Sequence, residues 1–119
     1  LLTPSYSLSS MELKQLLDFI ELEDKRLQQK YNYPDEQKRI LARTVKVTEE
    51  LGELSSEILA SNSLQRKHKI DSHTKEKLHE EVADVLITTL LLAKSLNVDV
   101  EKELENKIEK IHKRHAEAE

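Results

Sequence analysis

Gly52 is the only glycine in 119 residues. A core drawn from Leu, Ile and Val, with that one glycine and four aromatic residues, none of them Trp, favours helices over sheets. The same scarcity excludes the loops in which many proteins cradle phosphate, because neither GxxxxGK[ST] nor GxGxxG can be written with one glycine. Cysteine is absent, which removes disulfides, thiolate zinc sites and cysteine nucleophiles together. Any phosphate chemistry must run through side chains, alone or with a metal.

The length suits one domain with a real core and is too short for two. Residues 1–10 precede the only methionine, Met11, and read as an N-terminal extension, native or left by cloning, ahead of a single domain over 11–119. A net charge of −4 offers no basic excess for nucleic acid. The densest apolar run, residues 85–93, is too short to span a bilayer. The N-terminus shows no basic segment followed by an apolar one, so a soluble cytoplasmic protein with no membrane partner is expected.

Apolar spacing predicts four helices. The first opens with Ser9 as cap and Glu12 completing a capping box, and carries Leu13, Leu16, Leu17, Ile20 and Leu27. It ends near Tyr31-Asn32-Tyr33-Pro34, where the residue before proline avoids the α region. The second starts at Pro34 or Asp35 and runs to about Leu59, with Ile40, Val47, Leu51, Leu54 and Ile58 as its stripe. Gly52 inside it costs about 1 kcal/mol against Ala, so close helix packing is expected there. Residues 60–73 read as a polar linker. The third runs from about Thr74 to Leu96 with Leu78, Val82, Val85, Leu92 and Leu96 facing inward. Asn97 is a left-handed cap, and Asp99 caps a fourth helix reaching about His115. The segment VLITTLLLA at 85–93 is apolar nearly all round and needs cover on every side. The expected architecture is therefore an all-α four-helix bundle completed by homo-oligomerisation, as a two-fold dimer or a dimer of dimers.

Glu50/Glu53 and Glu81/Asp84 are carboxylate pairs at i, i+3, the spacing that lets two oxygens reach one metal from one helix face. With 23 acidic residues, chance predicts about four such pairs, and four occur, counting Asp18/Glu21 and Glu21/Asp24. Rotation about the helix separates the first two pairs from the rest. At 100° per residue, Glu50 and Glu53 sit about 70° and 130° from the stripe of the second helix. Glu81 and Asp84 sit about 60° and 120° from that of the third, in the same sense. Packed antiparallel, the two helices bring the four carboxylates to one spot, roughly 10 Å from the connection. Asp84 lies among Val82, Ala83, Val85, Leu86, Ile87 and Leu91, where an unpaired carboxylate is costly. Clustered carboxylates call for a hard cation, and an oxygen-only set suits Mg²⁺ or Mn²⁺ better than Zn²⁺. The competing reading is a buried ionic network with Lys46 and Lys77.

The segments KVTEELGEL at 46–54 and EEVADVL at 80–86 resemble the MazG-like all-α nucleoside triphosphate pyrophosphohydrolases. The family signature, EExxE, a gap, then ExxD, corresponds to Glu49-Glu50-Leu51-Gly52-Glu53 and Glu81-Val82-Ala83-Asp84, with residues 54–80 between them. The similarity extends through LNVDVEKELENKIEKIHKR and is weak in the first helix. The resemblance implies a four-helix MazG-like bundle that hydrolyses a nucleoside triphosphate to monophosphate and pyrophosphate in nucleotide house-cleaning. It places Mg²⁺, with Mn²⁺ as substitute, on Glu50, Glu53, Glu81 and Asp84. Glu49, rotated 100° from the ligands, either orients or deprotonates the attacking water or is a solvated surface residue. Lys46 either contacts phosphate or pairs with Glu50 at i, i+4. Lys107, Lys110 and Arg114 on the fourth helix correspond to the family's basic substrate contacts, or complement the helix dipole.

Some positions depart from the family pattern. Ile111 stands where relatives carry Asn after the Lys, Thr88 where many carry an aromatic residue, and no Trp ends the first helix. Tyr31 and Tyr33 remain as stacking partners for a base or as loop packing. Arg66-Lys67-His68-Lys69 is a lid over triphosphate or a solvated connection. Two rivals stand beside this reading. Glu76-x-x-His79 and Glu109-x-x-His112 have the spacing of a di-iron bundle, although Glu76 and His79 point away from the stripe. A non-catalytic oligomeric helical module predicts neither metal dependence nor turnover.

Overall fold

The computed structural model describes residues 10–118, which form five helices and no strand. They are α1 (Leu13–Tyr31), α2 (Glu36–Ser61), α3 (Lys67–Ser72), α4 (Lys75–Ser95) and α5 (Val100–Ala118). No described helix is long and apolar enough to cross a membrane.

Local chemistry accounts for the boundaries. The Asp35 carboxylate accepts from the Lys38 N–H at 2.8 Å and opens α2. Thr74 Oγ1 accepts from the Lys77 N–H at 3.1 Å and opens α4. Asp99 Oδ1 accepts from the Lys102 N–H at 3.1 Å and opens α5. The left-handed backbone that glycine usually supplies after a helix is taken by Asn32, Ser63 and Asn97, with φ of 46°, 57° and 57°.

Some expectations need correction. The proposed Ser9 cap lies outside the described residues. Glu12 itself precedes α1, and its N–H donates to Gln15 Oε1 at 2.8 Å. The expected polar linker is shorter than 60–73, because α2 continues to Ser61 and buries Ala60. The rest of that segment contains α3, which packs on α2. Gly52 is exposed, and an added Cβ would meet nothing within 4 Å. Among the described residues no neighbour packs closely there.

The inward faces of α2 and α4 are also rotated from the expected stripes, since Leu51, Ile58, Val82 and Leu96 are 43–51% exposed. The two helices meet antiparallel along two heptad columns each. On α2 the half-buried column Ile40, Val47, Leu54 runs beside Arg43, Glu50, Glu57. On α4 Leu78, Val85, Leu92 runs beside Glu81, Thr88, Ser95. One column of each pair is apolar and holds the helices together, and the other is polar. A stripe chosen for hydrophobicity alone misses the second.

Arg43 anchors one end of the polar column. It is 4% exposed, and its Nη1 bonds to Asp24 Oδ1 on α1 at 2.6 Å, to Ser95 Oγ at 2.6 Å and to the Leu91 carbonyl at 3.1 Å. The other Asp24 oxygen accepts from Gln28 Nε2 at 3.0 Å. Three helices are thereby fixed at one level, beside the buried Ile20 and Leu91.

By contrast α5 stands apart. Residues 101–118 are exposed throughout, including Leu104, Ile108 and Ile111, which align on one face. The radius of gyration is 17.6 Å, against about 13.5 Å for a compact chain of this length.

Arg43→Ala leaves Asp24 charged, buried and without its cation. It is expected to lower the unfolding free energy by about 3–5 kcal/mol in urea titrations followed by circular dichroism. The loss in an Asp24→Ala/Arg43→Ala double variant falls well short of the sum of the single losses.

Candidate metal centre

The polar column places carboxylates where α2 and α4 face each other. An oxygen from each of Glu50, Glu81 and Asp84 lies within 4.8 Å of the others. Glu50 and Glu81 are half-buried, while Asp84 stays exposed rather than enclosed by its apolar neighbours. Glu53, one turn further along α2, is exposed and stands outside this trio. Glu57, which sequence reasoning did not single out, is half-buried and bonds to His73 Nδ1 at 2.7 Å. The signal for it was its place seven residues after Glu50, itself seven after Arg43.

Electrostatics here run against charge. Burial first, then the carboxylates of Asp84, Glu50, Glu53 and Glu57, push the Glu81 carboxyl above its ordinary range. Asp84 is pushed up by burial, then by Glu50 and Glu80, with Lys46 opposing. Glu81 Oε2 is buried and, among the described residues, has no hydrogen-bond partner. A buried, unpartnered carboxylate oxygen beside two others, in an oxygen-only donor set, fits a hard divalent cation.

Lys46 is the cation nearest the trio. Its Nζ lies 3.2 Å from Glu50 and 3.6 Å from Glu49, and the bond to Glu50 raises its pKa. Glu49 is exposed beside it. Lys77 takes no part in such a network, since its Nζ donates to the Ser72 carbonyl at 2.8 Å. Lys107, Lys110 and Arg114 are exposed on α5 and line no part of the cleft that Glu50 and Asp84 open onto. Glu76, His79, Glu109 and His112 are all exposed and lie outside the trio, as does His68.

That cleft, about 480 Å³, lies between α1, α2 and α4. Glu50, Asp84 and Lys46 line it together with Leu27, Ile87, Leu91 and Arg43. Tyr31 and Tyr33 line it as well, with their rings 6.0 Å apart and tilted by 32°.

Among known proteins, the MazG-like family model matches residues 41–119, which takes in α3 to α5 and all of α2 beyond its first turn. No curated protein and no solved structure matches the chain.

The raised carboxyls give a sign to pH dependence. Above the raised folded values, burial of the ionised carboxylates and then their mutual repulsion burden the fold. The burden lifts as pH falls through the raised folded values toward the ordinary carboxylate range, because the native state then binds more protons. At fixed protein concentration, Mg²⁺ at 100 times its Kd should add about 2.7 kcal/mol, on the order of 10 °C in Tm, at pH 7.5. The gain shrinks at pH 5. Glu81→Gln raises the metal-free Tm and abolishes the Mg²⁺ increment in the same thermal scans.

Proposed function

The chain belongs to the MazG-like family, and from its carboxylate trio we propose that it hydrolyses nucleoside triphosphates to the monophosphate and pyrophosphate. The family is associated with that reaction. The observation that carries the reading is the convergence of Glu50, Glu81 and Asp84, with one buried oxygen lacking a partner, at a cleft of nucleoside size.

In this reading Glu50, Glu81 and Asp84, with Glu53 as fourth carboxylate, would hold Mg²⁺ or Mn²⁺. When bound, the cation polarises the phosphates and acidifies a water. The chain supplies the remaining steps. Lys46, already poised by Glu49 and Glu50, donates to a phosphate oxygen and offsets its charge. Glu49, exposed next to Lys46, accepts the proton of the water that attacks the α-phosphorus, and pyrophosphate departs. The apolar walls of the cleft hold the nucleoside and exclude water from it. The biological role that follows is house-cleaning of cytoplasmic nucleotides.

Lys107, Lys110 and Arg114 enter this scheme only from a second copy. On α5 they form a basic column about 60–120° round from Leu104, beside the exposed Leu104, Ile108 and Ile111. Leu41, Val45, Leu86 and Leu96 are 50–65% exposed on α2 and α4. Burial of these surfaces between copies covers the apolar α4 and brings the basic column to a site.

With Mg²⁺ and a panel of nucleoside triphosphates, the products are expected to be monophosphate and pyrophosphate. Chelation abolishes turnover, and Glu81→Gln or Asp84→Asn lowers kcat/KM by about 100-fold or more. Diphosphate with inorganic phosphate as products would overturn attack at the α-phosphorus. No turnover on any substrate would favour a non-catalytic module.

Sedimentation should give a mass of two or more copies. Leu86→Glu shifts it toward one and lowers activity with it.

A further inference from the structure

The cleft has two chemically different ends. Glu50 and Asp84 mark one, and the remainder is largely apolar, formed by Leu27, Ile87 and Leu91. Glu23 is a third carboxylate lining the same cleft, contributed by α1. Its side chain is 28% exposed, and its nearest cation, Arg26, stands 3.7 Å away, beyond hydrogen-bond reach. Among the described residues no group donates a hydrogen bond to it. The adjacent Asp24 differs, since Arg43 and Gln28 occupy both its oxygens. Among the described residues Glu23 is thus a half-buried acceptor without a donor.

Its level in the fold follows from that neighbour. Asp24 is bonded to Arg43, and Arg43 to the Leu91 carbonyl. Leu91 lies seven residues beyond Asp84, about 10 Å along α4. A nucleotide with its phosphates at the Glu50 and Asp84 end places its base, one ribose further on, near Glu23. Arg43 lines the wall at this level, and its Nε and Nη2 are buried without partners.

We propose that Glu23 reads the base, selecting nucleotides whose base carries an amino group where its analogue carries a keto oxygen, cytosine over uracil and adenine over hypoxanthine. An ionised carboxylate only accepts hydrogen bonds, so an amino group pairs with it, whereas a keto oxygen sets acceptor against acceptor in a largely apolar cleft. The discrimination expected from one such contact is roughly 10- to 100-fold. This rests on the triphosphate reading above.

The test compares kcat/KM for two near-isosteric pairs, CTP with UTP and ATP with ITP, in the presence of Mg²⁺, with pyrophosphate as readout. The wild-type chain is expected to favour the amino member of each pair by roughly 10- to 100-fold. In Glu23→Gln, whose amide offers a donor as well as an acceptor, both ratios fall to within about threefold of unity. The fall comes from a loss with CTP and ATP and a gain with UTP and ITP. A merely structural role would lower all four together. Glu23→Ala provides a second variant, in which the preference disappears without the gain. Pyrophosphate release with equal kcat/KM within each wild-type pair, or ratios untouched by both substitutions, overturns the assignment of Glu23 and leaves the hydrolase reading standing. Release from none of the four nucleotides by folded protein overturns both.

Discussion

Arg43 holds a full charge between three helices at 4% exposure, and a charge so placed persists only while its partners stay in position. Asp24 comes from α1, while Leu91 and Ser95 come from α4. One guanidinium nitrogen therefore sets the height of α1 against the α2–α4 pair. Apolar contacts alone do this poorly, because a Leu-rich seam can slide by a turn at modest cost, whereas a displaced Arg43 loses every bond at once. The cleft depends on the same setting, since Glu23 on one wall and Asp84 on another come to a common space only at this register.

The antiparallel seam then separates two tasks. Ile40, Val47 and Leu54 meet Leu78, Val85 and Leu92, and supply cohesion. Alongside them run Arg43, Glu50 and Glu57 against Glu81, Thr88 and Ser95. Each end of this polar column finds a partner, Arg43 Nη1 at Ser95 and Glu57 at His73. The middle does not. Glu81 keeps a buried oxygen without a partner, and it and Asp84 titrate high. A strained middle between bonded ends is what a binding site looks like when its ligand supplies the missing charge, and the fold tolerates it because cohesion resides in the other column.

Residues that act locally were legible in the sequence. Asp99 was read as a cap, and Asp35 and Thr74 as helix starts; all three cap their helices, because a side-chain oxygen needs only the next turn as partner. Asn97 is left-handed for a similarly local reason. Rotation and level are simple functions of residue number, so the sequence could set the i, i+3 acid pairs on facing helices; Glu50, Glu81 and Asp84 lie together, whereas Glu53, expected with them, stands outside. Arg43 was not, since its meaning lies in Asp24 and Ser95, 19 and 52 residues away in sequence. Glu57 was overlooked because hydrophobicity defined the stripes and left a charged heptad column invisible. Gly52 misled for a related reason. Its helix cost is real, but a packing explanation requires a neighbour, and one chain provides none.

The exposed face around Gly52 and the isolated α5 belong to one problem. A helix of 19 residues with Leu104, Ile108 and Ile111 on one side gains little stability from propensity alone in water. It persists by burying that stripe, and among the described residues the stripe has no cover. The outer faces of α2 and α4 have the complementary deficit, with Leu41, Val45 and Leu86 exposed. The proposed second copy would answer both needs, and it would also answer a charge deficit. One chain offers the site Lys46 as a cation, already shared between Glu49 and Glu50, whereas a triphosphate brings several negative charges. The lysines and the arginine beside the α5 stripe are the remaining cations whose position is set by the same docking. In the proposed oligomer, hydrophobic cover and phosphate neutralisation would become a single event, in which assembly completes the fold and the site together.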